Sequence, residues 1–272
     1  MTADYHLHSS FSGDSRTNPE DAVRAGIERG LSLLCFTDHF DPDYPYPEVS
    51  MELDVPAYVS EIRKLQALYQ DQLEIRLGAE LGIQPHLGEF LRSWARDCAS
   101  GGYQFDFLIG STHLVDRLDP FYPDYWEARS AREAVSRYLE ATLENIRAFD
   151  GFDIYGHLDY VIRYAPRTED RAFSYAAHAE QMDAILRLLI EKGKGIEINT
   201  GGWKAGLAET NPCRDVLRRY RELGGEIITM GSDAHTPEYI GYRFADAKEA
   251  LKACGFRYFT AFRERRPVFL EL

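Results

Sequence analysis

Seven short hydrophobic runs along this chain each end in a side chain able to bind a metal ion. The endings are Tyr5-His6-Leu7-His8, Thr37-Asp38-His39, Gly78-Ala79-Glu80, Ser111-Thr112-His113, Tyr155-Gly156-His157, Glu197-Ile198-Asn199 and Gly231-Ser232-Asp233-Ala234-His235. One histidine after a strand carries little information, but six of the eight histidines stand in this same local setting, which points to a shared purpose. His6 and His8 are separated by one residue, so strand alternation sends both rings the same way, within reach of one ion. His39, Glu80, His113, His157, Asp233 and His235 come from further strand ends, and Asp14 lies on the loop after His8. Such a set exceeds what one tetrahedral ion accepts. Burying it without cations costs on the order of several kcal/mol per unpaired group. Two or three divalent ions are therefore expected, and the lack of thiolate ligands leaves zinc, manganese and iron open.

The elements that must position these donors alternate as βα units, which predicts a parallel sheet. Strands are expected at 4–7, 31–37, 74–80, 107–112, 152–157, 195–199 and 226–232. Helices are expected at about 17–29, 57–69, 87–99, 132–149, 174–192, 211–224 and 245–253. In a (β/α) barrel the loops converge only at the C-terminal ends of the strands, and each candidate ligand falls there. Seven ligand-bearing strands, not eight, predict an α/β fold built as a distorted (β/α)7 barrel, one domain over residues 1–272. Of two long loops rich in acids and aromatics, 40–56 is expected as an ordered loop at the barrel mouth, while the aromatic surface of 116–130 could wall a pocket but is expected rather to pack the loop down. The segment 257–272 reads as extended chain with no evident role.

A formal net charge of −13 and the lack of a Lys/Arg run argue against nucleic acid as a partner. Bound cations would still leave the site itself locally positive, as an anionic substrate requires. The four cysteines form no CxxC pair, so neither a zinc ribbon nor a disulfide framework is indicated. No basic leader and no run of ~18 apolar residues occurs, so the expectation is a soluble, cytoplasmic protein without a membrane partner. Its expected partner is a small metabolite, which the family resemblance described next narrows to a phosphorylated one, and the oligomeric state is not legible.

In order and spacing, His6-x-His8, Thr37-Asp38-His39, Glu80, Ser111-Thr112-His113, Gly156-His157 and Gly231-Ser232-Asp233-x-His235 resemble the motifs of the polymerase and histidinol phosphatase (PHP) superfamily. Glu80-Leu81-Gly82-Ile83-Gln84-Pro85-His86, Gly156-His157-Leu158-Asp159 and Glu197-Ile198-Asn199-Thr200 are similar to its histidinol-phosphate phosphatase branch. The resemblance covers almost the whole chain. It implies a distorted (β/α)7 barrel with a trinuclear site. His6, His8, Glu80 and Asp233 would hold one ion, Glu80, His113 and His157 a second, and Asp14, His39 and His235 a third. Some relatives carry His where this chain has Asp14. The implied reaction is removal of phosphate from L-histidinol phosphate, with a hydroxide shared by two ions attacking phosphorus in line with the leaving alkoxide. Glu80, Asp233 and His235 are assigned to catalysis. Arg163 matches an arginine the family uses on phosphate, Lys204 stands where relatives typically show Arg, and His86 is a further candidate substrate contact. For the general acid, a metal-bound water and Asp159 are candidates.

Two other readings compete. A related phosphoesterase could act on a nucleotide or sugar phosphate, since loop identity decides the substrate. From another class, a non-catalytic metal-binding regulatory protein is favoured only by Lys204. A carbon–nitrogen hydrolase would be expected to end a strand with a bridging lysine, and no strand here does so.

Overall fold

The structure, a computed structural model, describes residues 1–272. The strands are β1 (Ala3–Asp4), β2 (Leu33–Phe36), β3 (His39–Phe40), β4 (Glu74–Gly82), β5 (Phe107–Ser111), β6 (Ile154–Tyr155), β7 (Gly195–Asn199), β8 (Ile228–Gly231), β9 (Tyr258–Arg263) and β10 (Arg266–Glu271). The helices are α1 (Pro19–Glu28), α2 (Val55–Tyr69), α3 (Gly88–Ser100), α4 (Asp124–Glu127), α5 (Ala131–Ala148), α6 (Ala179–Glu191), α7 (Gly201–Lys204), α8 (Arg214–Glu222) and α9 (Phe244–Ala253). No helix is long and apolar enough to cross a membrane.

The parallel strands follow the order β1-β2-β4-β5-β6-β7-β8. Closure comes from backbone bonds between the first and last of them: the amide of Tyr5 donates to Met230 O (2.9 Å), Asp233 to His6 O (2.7 Å) and His8 to Ala234 O (2.8 Å). This is the expected seven-stranded barrel with one addition. The short β3 pairs with β4 in a register that sets His39 beside Glu80. Phe40, expected to open a loop, is instead the end of that strand.

Local chemistry explains where the surrounding helices begin. Asn18 caps α1 by accepting from the Glu20 amide (2.9 Å) with Pro19 in the first turn, and Ser130 and Glu133 form a reciprocal capping box on α5. Helix α2 buries Val55, Tyr58, Val59, Ile62, Leu65 and Tyr69, a single stripe at helical spacing. Each such side chain contributes about 1.5–3 kcal/mol by leaving water. The long helix expected at 174–192 is broken, with a 3₁₀ turn at Tyr175–Ala177 before α6. The segment 257–272 has a definite place: β9 and β10 form an antiparallel hairpin across the N-terminal end of the barrel. There the Tyr5 hydroxyl donates to Phe262 O (3.0 Å) and accepts from the Phe262 amide (2.8 Å), and the Phe107 ring packs 5.0 Å from both rings.

Candidate metal centre

At the opposite end of the barrel the strand-end donors meet. The residues after β1 run on as extended chain, so His6 and His8 face inward together while Leu7 is buried behind them. Thr37 accepts from the Leu7 amide (3.1 Å), and Asp4 accepts from the amides of His6 (3.2 Å) and Ser232 (3.0 Å), which fixes the register of the β1 and β8 ends. His6 Nε2 lies 3.2 Å from Glu80 Oε2 and 3.9 Å from Asp233 Oδ1; His8 Nε2 lies 3.5 Å from each of those oxygens. On the other side of the Glu80 carboxylate, Oε1 is 3.2 Å from His113 Nε2 and 2.9 Å from His157 Nε2. Asp14 Oδ2 lies 3.0 Å from His235 Nε2 and 3.5 Å from His39 Nε2. All nine expected metal ligands thus line one connected cluster, with Glu80 at its centre.

Two of these side chains sit on backbone that L-residues seldom adopt, His157 at φ 21° and Asp233 at φ 54°. Departures of this kind concentrate at functional sites, where the surrounding structure holds them in place.

Behind the ligand candidates lies a layer of buried carboxylates that orients them. Glu197 meets His6 Nδ1 at 3.0 Å and also accepts from the His157 amide (2.9 Å) and Asn199 Nδ2 (2.9 Å). A Cβ on Gly231 would lie 2.5 Å from both Glu197 Oε2 and His6 Cβ, so only glycine admits this pairing. Asp38, at the strand end before His39, is not a donor to the cluster. It accepts from the Ser9 amide (2.6 Å) and Ser12 Oγ (2.8 Å), and Ser12 Oγ in turn lies 3.2 Å from His8 Nδ1. Asp41 reaches His113 Nδ1 at 2.5 Å and His39 Nδ1 at 3.4 Å. Sequence reasoning left Asp41 in the proline-rich loop, although its spacing of two from His39 on an extended strand was the available signal.

Whether this arrangement fits metal ions is tested by its unpaired atoms. His6 Nε2, His8 Nε2, His39 Nδ1, Asp41 Oδ2, Glu80 Oε2 and His157 Nδ1 are buried without a hydrogen-bond partner. Orphaned polar atoms are costly, and five of these six belong to expected ligands. Four groups of three donors have their ligand atoms within 4.8 Å of one another: His6-His8-Glu80, Glu80-His113-His157, His8-His39-His235 and His39-Asp41-His113. Burial disfavours protonated His113, but Asp41 and Glu80 outweigh it and push the imidazole up to about 10. Burial, with help from His39 and His235, takes His8 the other way, to about 3. The carboxylates of the cluster thus draw positive charge onto His6, His39 and His113 while His8 and His157 are held neutral, and a divalent cation can supply that charge in place of the protons. The donor set fits divalent cations.

A cavity of about 220 Å³ opens over the cluster and is lined by Asp14, His39, Glu80, His113, His157, Asp233 and His235. Arg163 also lines it, and its guanidinium is held from three sides, donating to Asp233 Oδ2 (2.8 Å), Asn211 Oδ1 (2.7 Å) and Asn199 Oδ1 (3.0 Å). Lys204 and His86 are elsewhere. Lys204 Nζ stacks 5.1 Å over the Tyr239 ring, and the exposed His86 pairs with Asp43 (3.0 Å); neither lines the cavity. Asp159, a candidate general acid, is fully buried behind the site. Its oxygens accept from Asn211 Nδ2 (2.6 Å) and the Cys213 amide (2.9 Å), and burial raises its carboxyl to about 6. Its place is to anchor Asn211, and through it Arg163, rather than to meet a leaving group.

The PHP domain family matches residues 4–201, from the end of β1 through the whole of β7. This chain belongs to the PHP domain family. It is 33% identical over 264 residues to the histidinol-phosphatase of Lactococcus lactis subsp. lactis (strain IL1403), covering 95% of this chain and 93% of that one. To a probable histidinol-phosphatase of Deinococcus radiodurans it is 32% identical over 267 residues, covering 97% of each. It is also similar to a crystal structure of histidinol phosphate phosphatase from Lactococcus lactis complexed with zinc, L-histidinol and phosphate, with a TM-score of 0.88, 32% identity and 98% of both chains covered. A putative histidinol phosphatase from Listeria monocytogenes, 22% identical with a TM-score of 0.76, shares the fold over 90% of this chain.

Proposed function

We infer that this PHP-family chain is a metal-dependent phosphomonoesterase that hydrolyses L-histidinol phosphate to L-histidinol and phosphate, a step of histidine biosynthesis. The convergence of six imidazoles with the Glu80 and Asp233 carboxylates in one cluster, under a small cavity that the Arg163 guanidinium also lines, carries this reading. Its substrate is supported by the full-length similarity to the Lactococcus lactis enzyme and by the zinc, L-histidinol and phosphate in that enzyme's crystal structure.

His6, His8, Glu80 and Asp233 would hold a first divalent ion, Glu80, His113 and His157 a second, and Asp14, His39 and His235 a third; zinc is the metal the related structure favours, with manganese and iron as alternatives. When bound, these ions supply Lewis acidity toward the phosphoryl oxygens and bring the pKa of water toward neutrality. The chain's own groups prepare the reaction around them. Glu197, on His6 Nδ1, fixes the tautomer that leaves Nε2 as the donor. Arg163 presents the one guanidinium in the cavity to the phosphate, and because its other bonds are already made it is oriented before substrate arrives. The contacts between the 40–56 and 116–130 loops, including the stacked rings of Tyr46 and Tyr122 at 4.0 Å, narrow the mouth and limit water.

The test is phosphate release from L-histidinol phosphate beside a panel of other phosphomonoesters, on protein of measured metal content, with His157→Ala as the blank. A strong preference for L-histidinol phosphate, lost in the blank, supports the whole reading. Turnover of a different ester keeps the chemistry and discards the substrate. Metal-loaded protein that turns over nothing removes the enzymatic reading.

A further inference from the structure

Five carboxyl groups line the cavity, and four of them have a basic nitrogen close by. Asp14 has His235 at 3.0 Å, Asp41 has His113 at 2.5 Å, Glu80 has His157 at 2.9 Å and Asp233 has Arg163 at 2.8 Å. Asp119 is the fifth, and it differs. Only 7% exposed, it is held by neutral donors: Tyr44 Oη at 2.7 Å on Oδ2, and the Phe121 amide at 2.8 Å and Tyr160 Oη at 3.5 Å on Oδ1. Acids buried to this degree are normally paired with a cation. A carboxylate offers about four acceptor directions, and these three bonds leave room for another.

The surroundings of Asp119 say what the missing partner is. Tyr44, Phe121, Tyr122, Tyr160 and Tyr164 line the same part of the cavity, with Phe121 edge-on to Tyr122 (5.1 Å) and to Tyr164 (5.4 Å). Aromatic faces around a lone carboxylate form a receptor for a protonated nitrogen. Tyr160 relates this corner to the metal end. Its hydroxyl touches Asp119, while its ring lies 4.7 Å from the His157 ring and 5.5 Å from the Arg163 guanidinium carbon. The cavity is therefore polarised, with anion-binding groups at one end of Tyr160 and a cation-binding group at the other.

Resting on the phosphomonoesterase reading above, we propose that Asp119 is the specificity-determining residue that receives a protonated nitrogen of the substrate's alcohol portion while the phosphate lies on the Arg163 side. Burial pushes its carboxyl up from the ordinary carboxylate range, against the hydrogen bonds from Phe121 and Tyr44. An arriving cation relieves that cost, so binding favours alcohols that carry one. Neutral alcohols leave Asp119 buried and unpaired.

The experiment compares wild type with Asp119→Asn on four phosphate esters: L-histidinol phosphate, 2-aminoethyl phosphate, 2-(imidazol-4-yl)ethyl phosphate and ethyl phosphate. The readout is kcat/KM of each nitrogen-bearing ester relative to ethyl phosphate. The variant should lose about 10- to 100-fold of the preference for L-histidinol phosphate, the size of one charge-assisted hydrogen bond. Whichever of the aminoethyl and imidazolylethyl esters loses its advantage identifies the group, amine or imidazole, that Asp119 holds. Product inhibition by L-histidinol should weaken in parallel, and inhibition by inorganic phosphate should not follow it. A wild type that prefers cationic esters and a folded variant that keeps that preference overturn the role of Asp119 alone. A wild type without the preference overturns the substrate reading as well. Should Asp119→Asn fail to fold, Tyr44→Phe, which removes one donor from the same carboxylate, must shift the same ratio or the proposal fails.

Discussion

The two ends of the barrel are built from the same seven strands and treat their polar groups in opposite ways. At the N-terminal base, protein partners meet most of the polar groups under the β9–β10 hairpin, with Arg76 Nε and Thr229 Oγ1 left without one. Asp106 accepts from the amides of Leu77 (3.2 Å) and Glu264 (3.1 Å), Thr260 from Ile228 (3.1 Å), and Asp153 from Leu108 (2.8 Å) and Arg265 (2.5 Å). At the C-terminal mouth six buried nitrogen and oxygen atoms of one cluster have no hydrogen-bond partner in the protein, and five of them belong to expected metal ligands. The base uses polar groups to close the barrel, whereas the mouth holds them ready for a ligand. Substitutions at the two ends should therefore separate stability from chemistry.

The largest effect belongs to Glu80, whose two oxygens face the His6–His8 and the His113–His157 sides of the cluster. Glu80→Gln keeps the shape and removes the charge. It should lower kcat/KM by about 10³-fold or more, the scale of the several kcal/mol a metal site contributes to the transition state. Bound metal measured on the purified variant should fall as well. Near-normal activity with the metals gone would break the comparison at its functional end. Phe262→Ala tests the other end. Phe262 is 3% exposed against Phe107 and Tyr5, so its truncation should cost about 3–5 kcal/mol of stability by denaturant titration. The folded protein should retain its metal content and its kcat. If kcat fell with the metals in place, base and mouth would not be separable.

The mouth was the more legible end because its signal is chemical and local. Metal ligands must be His, Asp or Glu, and they stood at the ends of runs apolar enough to be strands, so topology followed from counting them. Asp41, Glu197 and Asp119 were harder to find because their roles depend on neighbours 72, 191 and 75 positions away, His113, His6 and Tyr44. The base was not legible, for the same reason in a stronger form. Nothing within 257–272 indicates what it packs against; its partners Tyr5, Asp106 and Asp153 come from other strands. Lys204 and His86 were placed in the cavity by their position in the chain, and the short α7 and the 3₁₀ turn at Pro85–Leu87 carry them out of it.

Glu197→Gln sharpens the comparison from inside the mouth, since Glu197 touches no part of the cavity and acts through His6. The amide would still meet His6 Nδ1 but without the charge that strengthens Nε2 as a donor. Metal affinity or activity should drop by about 10- to 100-fold, less than for Glu80→Gln. Excess metal should restore a large part of the activity. A loss that no metal concentration restores would place Glu197 in the chemical step itself.

The smallest effect, and the one with a direction in pH, is expected at the base from Arg265→Met. Arg265 is the cation beside Asp153, a carboxyl that burial raises above its ordinary value and that Arg265 partly brings back. A group with a raised folded pKa binds its proton more tightly in the native state. Its ionisation therefore lowers stability as pH climbs from the ordinary carboxylate range through the folded value. Removing Arg265 raises Asp153 further and steepens that loss. Thermal unfolding should show the variant closest to wild type at the acid end of the range, where Asp153 takes up its proton, and about 1–3 kcal/mol less stable near pH 8, where a buried carboxylate without its guanidinium must be carried. An equal penalty at both pH values would mean that Arg265 holds the hairpin by packing and by its bond to Gly151 O (2.6 Å), not by charge. The base would then owe nothing to electrostatics, and the contrast with the mouth would be sharper still.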